Sequence, residues 1–261
     1  MFNKYFKIWL LMTFRVSQIA FASRFGAALF ILGKILRFSF FLLFLIILQT
    51  RTKGIEGYTL WQIIFFYATF NLIDTLPQLL FREAYRFRSY VVSGEFDFFL
   101  TKPISPLFRS LLGGSDILDL SMLLISAAFI IFAATNISGV TLFGVFAFLA
   151  LIINAFIIAM SFHIIVIALG VLTTEVDNTI MLYRDFTQMG RVPVDIYREP
   201  MSWIITFVVP VGIMMTFPAK AMMGLLSFQF ILISVLISGI FLVLSLNFWK
   251  FALKNYSSVS S

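Results

Sequence analysis

The chain has 261 residues, 61% of them hydrophobic and only 12% charged, with a mean hydropathy of +1.02. A water-soluble fold of this length needs far more polar surface, so the composition points to an integral membrane protein. The net charge of +7 is no nucleic-acid footprint, because the basic residues follow the flanks of apolar runs instead of forming one patch.

Residues 1–24 predict an amphipathic helix. Lys4, Lys7, Arg15 and Gln18 fall on one side at ~100° per residue, and Tyr5, Trp9, Met12 and Val16 fall opposite. A basic stripe over an aromatic face suits a helix lying in the membrane interface; the plainer alternative is an extension of the first span. No cleavable signal is expected, since MFNKYFKIWLLMTFR carries charge through its apolar run and lacks a small-residue cleavage site.

Phe25 to Leu48 is the first expected span, long enough at ~1.5 Å per residue to cross ~30 Å of hydrocarbon. It carries Lys34 and Arg37. A short loop with Arg51, Lys53 and two glycines leads to the second span, Tyr58 to Phe81, which contains Asp74 and Pro77. Residues 82–115 then form the longest polar interruption of the first half, with Arg82, Arg86, Arg88, Lys102 and Arg109 among many phenylalanines, tyrosines and leucines. Its basic charge between two spans places it on the cytoplasmic side. Pro103 and Pro106 break it into short pieces, and its apolar content predicts helices offered to a soluble partner.

Two spans follow, Asp116 to Ala134 and Val140 to Leu172, separated by the turn-like Thr135-Asn136-Ile137-Ser138-Gly139. The second is longer than a bilayer requires, so it should tilt or project. The polar segment 173–200, with Arg184, Arg191 and Arg198, is expected in the cytoplasm. A fifth span starts at Met201 and bends or ends near Pro210. Residues 217–224, opened by Phe217, Pro218 and Lys220, are too short to cross and predict a re-entrant or surface helix on the outer side. Leu225 to Phe248 is the sixth span, and the tail carries Lys250 and Lys254.

This gives an all-α fold in a single domain with six transmembrane helices and both termini in the cytoplasm. Under that arrangement fourteen lysines and arginines lie inside and three outside (Arg51, Lys53 and Lys220), as the positive-inside rule requires.

Chemistry is sparse. No G-x-x-x-x-G-K-[ST] phosphate loop and no H-E-x-x-H occurs. Cysteine is absent, which excludes disulfides and cysteine metal sites. The lone His163 sits mid-span and reads as a helix-packing hydrogen bonder. No catalytic, cofactor or metal residue is assigned. The charges inside the membrane need partners, because an unpaired one costs on the order of 2.5–3.5 kcal/mol. Lys34 and Asp74 lie at similar depths on adjacent antiparallel spans and predict a contact, with Asp116 and Asp119 as competing partners for Lys34.

Three motifs in order carry a family resemblance: Ser93-Gly94-Glu95-Phe96-Asp97-Phe98-Phe99-Leu100-Thr101-Lys102-Pro103-Ile104-Ser105, then Arg191-Val192-Pro193-Val194-Asp195-Ile196-Tyr197, then Phe207-Val208-Val209-Pro210-Val211 with Phe217-Pro218-Ala219. With the span order, they make the chain similar to the permease subunit of type-2 ATP-binding-cassette (ABC) exporters of bacteria, over nearly its whole length. The resemblance implies a coupling helix at Gly94 to Pro106 docked on a separate cytoplasmic ATPase. It implies ATP and magnesium on that partner only, and a second permease copy, identical or a sister chain, in the inner membrane. Residues Gly94, Glu95, Phe96, Asp97, Phe98, Phe99, Leu100, Thr101, Lys102 and Pro103 would form the docking element. Glu95 and Asp97 suit the start of a short helix, with Phe96, Phe98, Phe99 and Leu100 as the anchor. Arg37 would face the dimer interface or the pathway. The rival readings are an ion-coupled secondary transporter using Lys34, Arg37, Asp74 and His163, and a membrane scaffold that transports nothing.

Overall fold

The computed structural model describes residues 2–51, 57–174 and 176–257, and their regular structure is helical. Lys53 and Gly54 of the first loop lie outside the described residues. Among the described residues five helices are long and apolar enough to cross a membrane. They are α2 (Arg24–Arg51), α3 (Leu60–Leu80), α7 (Leu120–Ala134, extended by a 3-10 turn from Ile117), α8 (Leu142–Thr173) and α13 (Phe228–Lys254). The long helix α1 (Phe2–Ala22) precedes them. Short helices α4 (Phe87–Val92), α5 (Glu95–Thr101) and α6 (Pro106–Leu112) fill the segment after α3.

The centre of the bundle is α3, the most deeply buried of the five. A capping box starts it: Thr59 Oγ1 accepts from the Gln62 amide, and the Gln62 side chain accepts from the Thr59 amide. We call this end of the bundle the upper end. The lower end is where α3 stops at Phe81, beside α4 to α6. Around α3 the main core gathers Phe38, Leu45, Phe65, Tyr67, Phe148 and Leu151 from α2, α3 and α8. A second core at the lower end holds Phe81, Phe87, Phe96, Phe99, Ile167 and Trp249. In α8 and α13, which pack along each other, Asn154 Nδ2 donates to Ser234 O at 3.3 Å and Asn154 Oδ1 accepts from Ser238 Oγ. Such bonds between apolar helices contribute about 0.6–2 kcal/mol, and small serines let the backbones approach.

The second half departs from the expected layout. The segment 173–200 was expected to stay on the side of the docking helices; it runs from the lower end to the upper. Helix α9 (Val176–Gln188) leaves the foot of α8 and returns along it, with the Tyr183 ring 4.9 Å from His163 and 5.3 Å from Phe162. Gly190 then lies against Val211 and Met215, where an added Cβ would come within 2.6 Å of a Met215 side-chain atom. Further on, Asp195 accepts from Tyr58 OH at 2.8 Å and binds Lys220 Nζ at 2.5 Å. Tyr58 opens α3, so Asp195 is at the upper end.

The expected fifth span is correspondingly absent as a continuous helix. Residues 201–222 form α10 (Met201–Trp203), a π-helical turn over Ile204–Val208, α11 (Val211–Met215) and α12 (Phe217–Met222). Pro210, lacking an amide proton, separates the halves. These pieces remain at the upper end. The Val194 amide donates to Thr216 Oγ1 at 3.3 Å, and Gly144, in the first turn of α8, packs against the carbonyls of Ala221 and Met222. Residues 211–219 are buried throughout. The short helix expected at 217–224 therefore exists, folded inward against α8. The chain passes from the lower end to the upper end through α9 and the stretch to Tyr197, not through residues 201–216.

Candidate functional site

At the lower end, α4 and α5 meet at Gly94, whose φ of +75° is a left-handed conformation that favours glycine. The turn aims the two faces of α5 in opposite directions. Phe96 and Phe99 point inward and are buried, with Phe96 edge-on to Phe87 at 5.2 Å and to Tyr256 at 5.1 Å. Asp97 accepts from Tyr256 OH at 2.9 Å; burial first, then this bond, pushes the Tyr256 phenol up to about 12. Arg109 lies over Phe99, 4.6 Å from its centroid, and pairs with the buried Glu83 at 2.6 Å. Tyr90 OH donates to the same Glu83 oxygen at 2.7 Å, and burial followed by that bond raises its pKa. The segment is thus clamped to the bundle on its inner side.

Its outer side is free. Phe98 is 65% exposed, and Val92, Glu95, Leu100, Thr101, Lys102 and Pro103 are exposed around it. Glu95 and Phe98, three residues apart on α5, share one face, and Val92 is exposed at the end of α4. Beside them a cleft of ≈ 470 Å³ is bounded by Tyr85, Arg86, Arg88, Ser89 and Asp177. The expectation that Phe96, Phe98, Phe99 and Leu100 together form the outward anchor is corrected. Phe96 and Phe99 belong to the core, because a seven-residue amphipathic helix cannot present every ring to one side.

The N-terminal helix also differs in its partner. Tyr5, Trp9 and Val16, expected toward lipid, pack on the docking segment. Trp9 Nε1 donates to Ser115 Oγ at 3.0 Å, Tyr5 OH accepts from the Ser105 amide at 3.2 Å, and Val16 closes over Gly114. Phe6, Leu10, Leu11, Phe14 and Ile19 are exposed instead.

Inside the bundle, Lys34 pairs with Asp119, not with Asp74 as expected. Asp119 ends the 3-10 turn below α7 and reaches Lys34 on α2. Gln78, one turn on, donates to Asp74 Oδ2 at 2.9 Å. Arg37, Arg184 and Arg191, in that order, are the cations that act most on Asp74. Arg191 lies 5.3 Å from the Phe41 centroid and shares with Arg37 a cleft of ≈ 290 Å³ that also touches Tyr67 and Asn71. A second cleft, ≈ 420 Å³, brings Lys34, Arg37, Arg82 and Arg184 together. His163 bonds the Ala159 carbonyl of its own helix at 2.8 Å within a box of Phe81, Tyr85 and Tyr183. Among the described residues no hydrogen-bonded chain joins Lys34, Arg37, Asp74 and His163, and no three acidic or histidine side chains gather to hold a metal ion.

The sequence profile of the ABC-2 family transporter proteins matches residues 35–260, which takes in all but the first eleven residues of α2, then α3, the short lower-end helices, α7, α8, α9, the upper-end helices and α13. The chain belongs to the ABC-2 transporter family. No curated protein and no solved structure matches it. This ABC-2 permease is a multi-pass membrane protein, and its family is in general not catalytic in its own chain.

Sequence reasoning missed the placement of Arg184 and Arg191 beside Arg37, because the polar segment 173–200 was assigned to the cytoplasm. A signal was present. In α9 the buried residues Val176, Ile180, Tyr183 and Thr187 recur at helical spacing, a stripe that seats the helix on the bundle despite its polar faces. At the upper end, Phe217 and Pro218 are buried and Lys220 is held by Asp195, so none of the three residues expected to face outward is fully exposed there.

Proposed function

We propose that this ABC-2 permease is the membrane half of an ATP-driven exporter, moving its substrate along a path shared between two permease copies. The observation that carries the reading is segment 82–115: Val92, Glu95, Phe98 and Leu100 are exposed at the turn and along α5, on a base clamped by Phe96, Phe99, Arg109 and Glu83. A push on that face from a soluble ATPase is transmitted to α8 and α13 through the lower core instead of being absorbed by a loose loop. ATP and magnesium would reside on the ATPase, whose closure would draw two such segments together and rock the bundles. Two copies are supported by the exposure of α2 and α13, each only 17% buried over its most apolar window. The bacterial inner membrane, with both termini in the cytoplasm, fits the basic lower end. The bias keeps its sign when Arg184, Arg191 and Arg198 are removed from the inner count, since α9 carries them across or up the bundle. In this arrangement α1 lies in the inner interface, with Phe6, Leu10 and Phe14 toward lipid.

Transport in proteoliposomes tests the proposal. Export should require a co-purified ATPase and ATP, and should survive a protonophore. Transport without the ATPase that a protonophore abolishes would establish the secondary-transporter reading in its place, and no transport under either condition would leave a scaffold.

A further inference from the structure

Three arginines share one face of the bundle without an ion-pair partner, Arg37 and Arg184 exposed on it and Arg191 half-buried. Arg37 is thirteen residues from the first residue of α2 and fourteen from its last, which puts it at mid-membrane depth. Among the described residues neither Arg37, Arg184 nor Arg191 has a carboxylate within 4.0 Å. Lys34 and Arg82 next to them are already neutralised, by Asp119 and by Asp116 at 3.4 Å, and Asp74 is buried and bonded to Gln78. Asp185, beside Arg184 on α9, lines neither cleft.

The two clefts meet at Arg37. Together they present Lys34, Arg37, Arg82, Arg184 and Arg191, and no carboxylate lines either one. The smaller cleft is walled by Phe40 and Phe44, which are 67% and 54% exposed on the outside of α2. An arginine at such depth costs several kcal/mol unless a counter-charge or water meets it. Guanidinium groups also present paired donors that match phosphate and carboxylate oxygens two at a time. A cationic floor under an apolar aromatic wall matches a molecule with an anionic head and an apolar tail.

We propose that the α2–α3–α9 face binds an anionic amphiphile, its phosphate or carboxylate held by Arg37 and Arg191 and its tail against Phe40 and Phe44. That this amphiphile is the cargo rests on the permease reading above; the binding itself does not.

The test uses the purified full chain in phosphatidylcholine nanodiscs with radiolabelled dodecyl phosphate. Binding should saturate and be competed by dodecanoate, but not by dodecyltrimethylammonium or inorganic phosphate. Arg37→Gln and Arg191→Gln should each weaken it by about tenfold. Arg37→Lys should keep much of the affinity, and Lys250→Gln at the exposed lower end of α13 should change nothing. Discs containing phosphatidylglycerol separate two sources of the same chemistry. Displacement of the probe assigns the site to a resident membrane lipid, and persistence of binding assigns it to a distinct cargo; both support an anion site. Equal affinity for dodecyltrimethylammonium, or unchanged affinity in both glutamine variants, overturns the proposal. The wild-type headgroup ranking decides the matter even where a variant fails to fold. Because no ATPase is present, these results are independent of the ATP requirement that tests the permease reading.

Discussion

Phe98 and Phe99 are neighbours in sequence and opposites in structure, and replacing each by alanine separates docking from folding. Phe99 is 5% exposed, edged by Phe96 at 5.9 Å and Tyr90 at 5.1 Å, and capped by the Arg109 guanidinium. Phe99→Ala removes a buried ring and leaves a cavity, at a cost of about 3–5 kcal/mol. It also loses the cation–π contact, a further ~0.5–2 kcal/mol. For a chain of this size the ring alone corresponds to a fall in melting temperature of roughly 6–20 °C. Phe98, 65% exposed, buries little, and Phe98→Ala should shift stability by no more than about 0.5 kcal/mol. At a partner surface the same ring is a hot-spot anchor worth about 2 kcal/mol or more, equivalent to some thirtyfold in affinity. The assay is a melting curve of each solubilised variant by fluorescence-detected size exclusion, paired with recovery of the ATPase in a pull-down. Phe98→Ala should melt as wild type and lose the ATPase; Phe99→Ala should melt early. Equal melting of the two variants would refute the inward–outward division of α5, and full ATPase recovery with Phe98→Ala would refute its role as the docking face.

Asp119→Asn should lower folded yield strongly, since breaking a buried pair costs about 3–5 kcal/mol and leaves Lys34 unpaired. Asp74→Asn should cost less, and the exchange Lys34→Asp with Asp119→Lys should recover more yield than the two single losses predict. A cysteine at the exposed Ser227 should react rapidly with an impermeant thiol reagent added outside cells, while one at Lys220, shielded beside Asp195, should react slowly; labelling only from the cytoplasm would invert the orientation. Tyr256→Phe should loosen the packing of Trp249 and Phe96 as read by near-ultraviolet circular dichroism at neutral pH. Because the folded phenol titrates higher than the free one, that contribution is intact below pH 10 and disappears as pH rises through about 12, where wild type and variant should converge.

The apolar half of the fold was legible because hydropathy acts on each segment alone. Spans such as α3 and α8 must satisfy their own backbone and face either lipid or one another, so composition and length locate them to within a few residues. The short helices of segment 82–115 were legible for a related reason, since basic charge and two prolines between apolar runs break the chain into short polar pieces. The division into buried Phe96 and Phe99 and exposed Phe98 required knowing where α13 returns, because Trp249 and Tyr256 are distant in sequence. The same holds for Lys34. Depth along the helix allowed Asp74 and Asp119 equally, and only the rotation of α3 and the turn at Ile117–Asp119 chose between them.

Helix α9 exposes the limit of that logic and explains why it falls where it does. A crossing element with Asp177, Arg184 and Asp185 on its surface is costly against lipid, so a hydropathy rule assigns it to water. In the fold it is shielded along Val176, Ile180 and Tyr183 by α8 and the lower core, and its other faces look across the arginine-lined clefts. Charge at that depth is stable only where water, a ligand or a second chain replaces lipid. The element that a bilayer-based reading cannot place is thus the one expected to line the route through the bilayer. The two short helices α11 and α12 lie at the upper end of the bundle, where Asp195 bonds both Tyr58 of the α3 entry and Lys220 of α12.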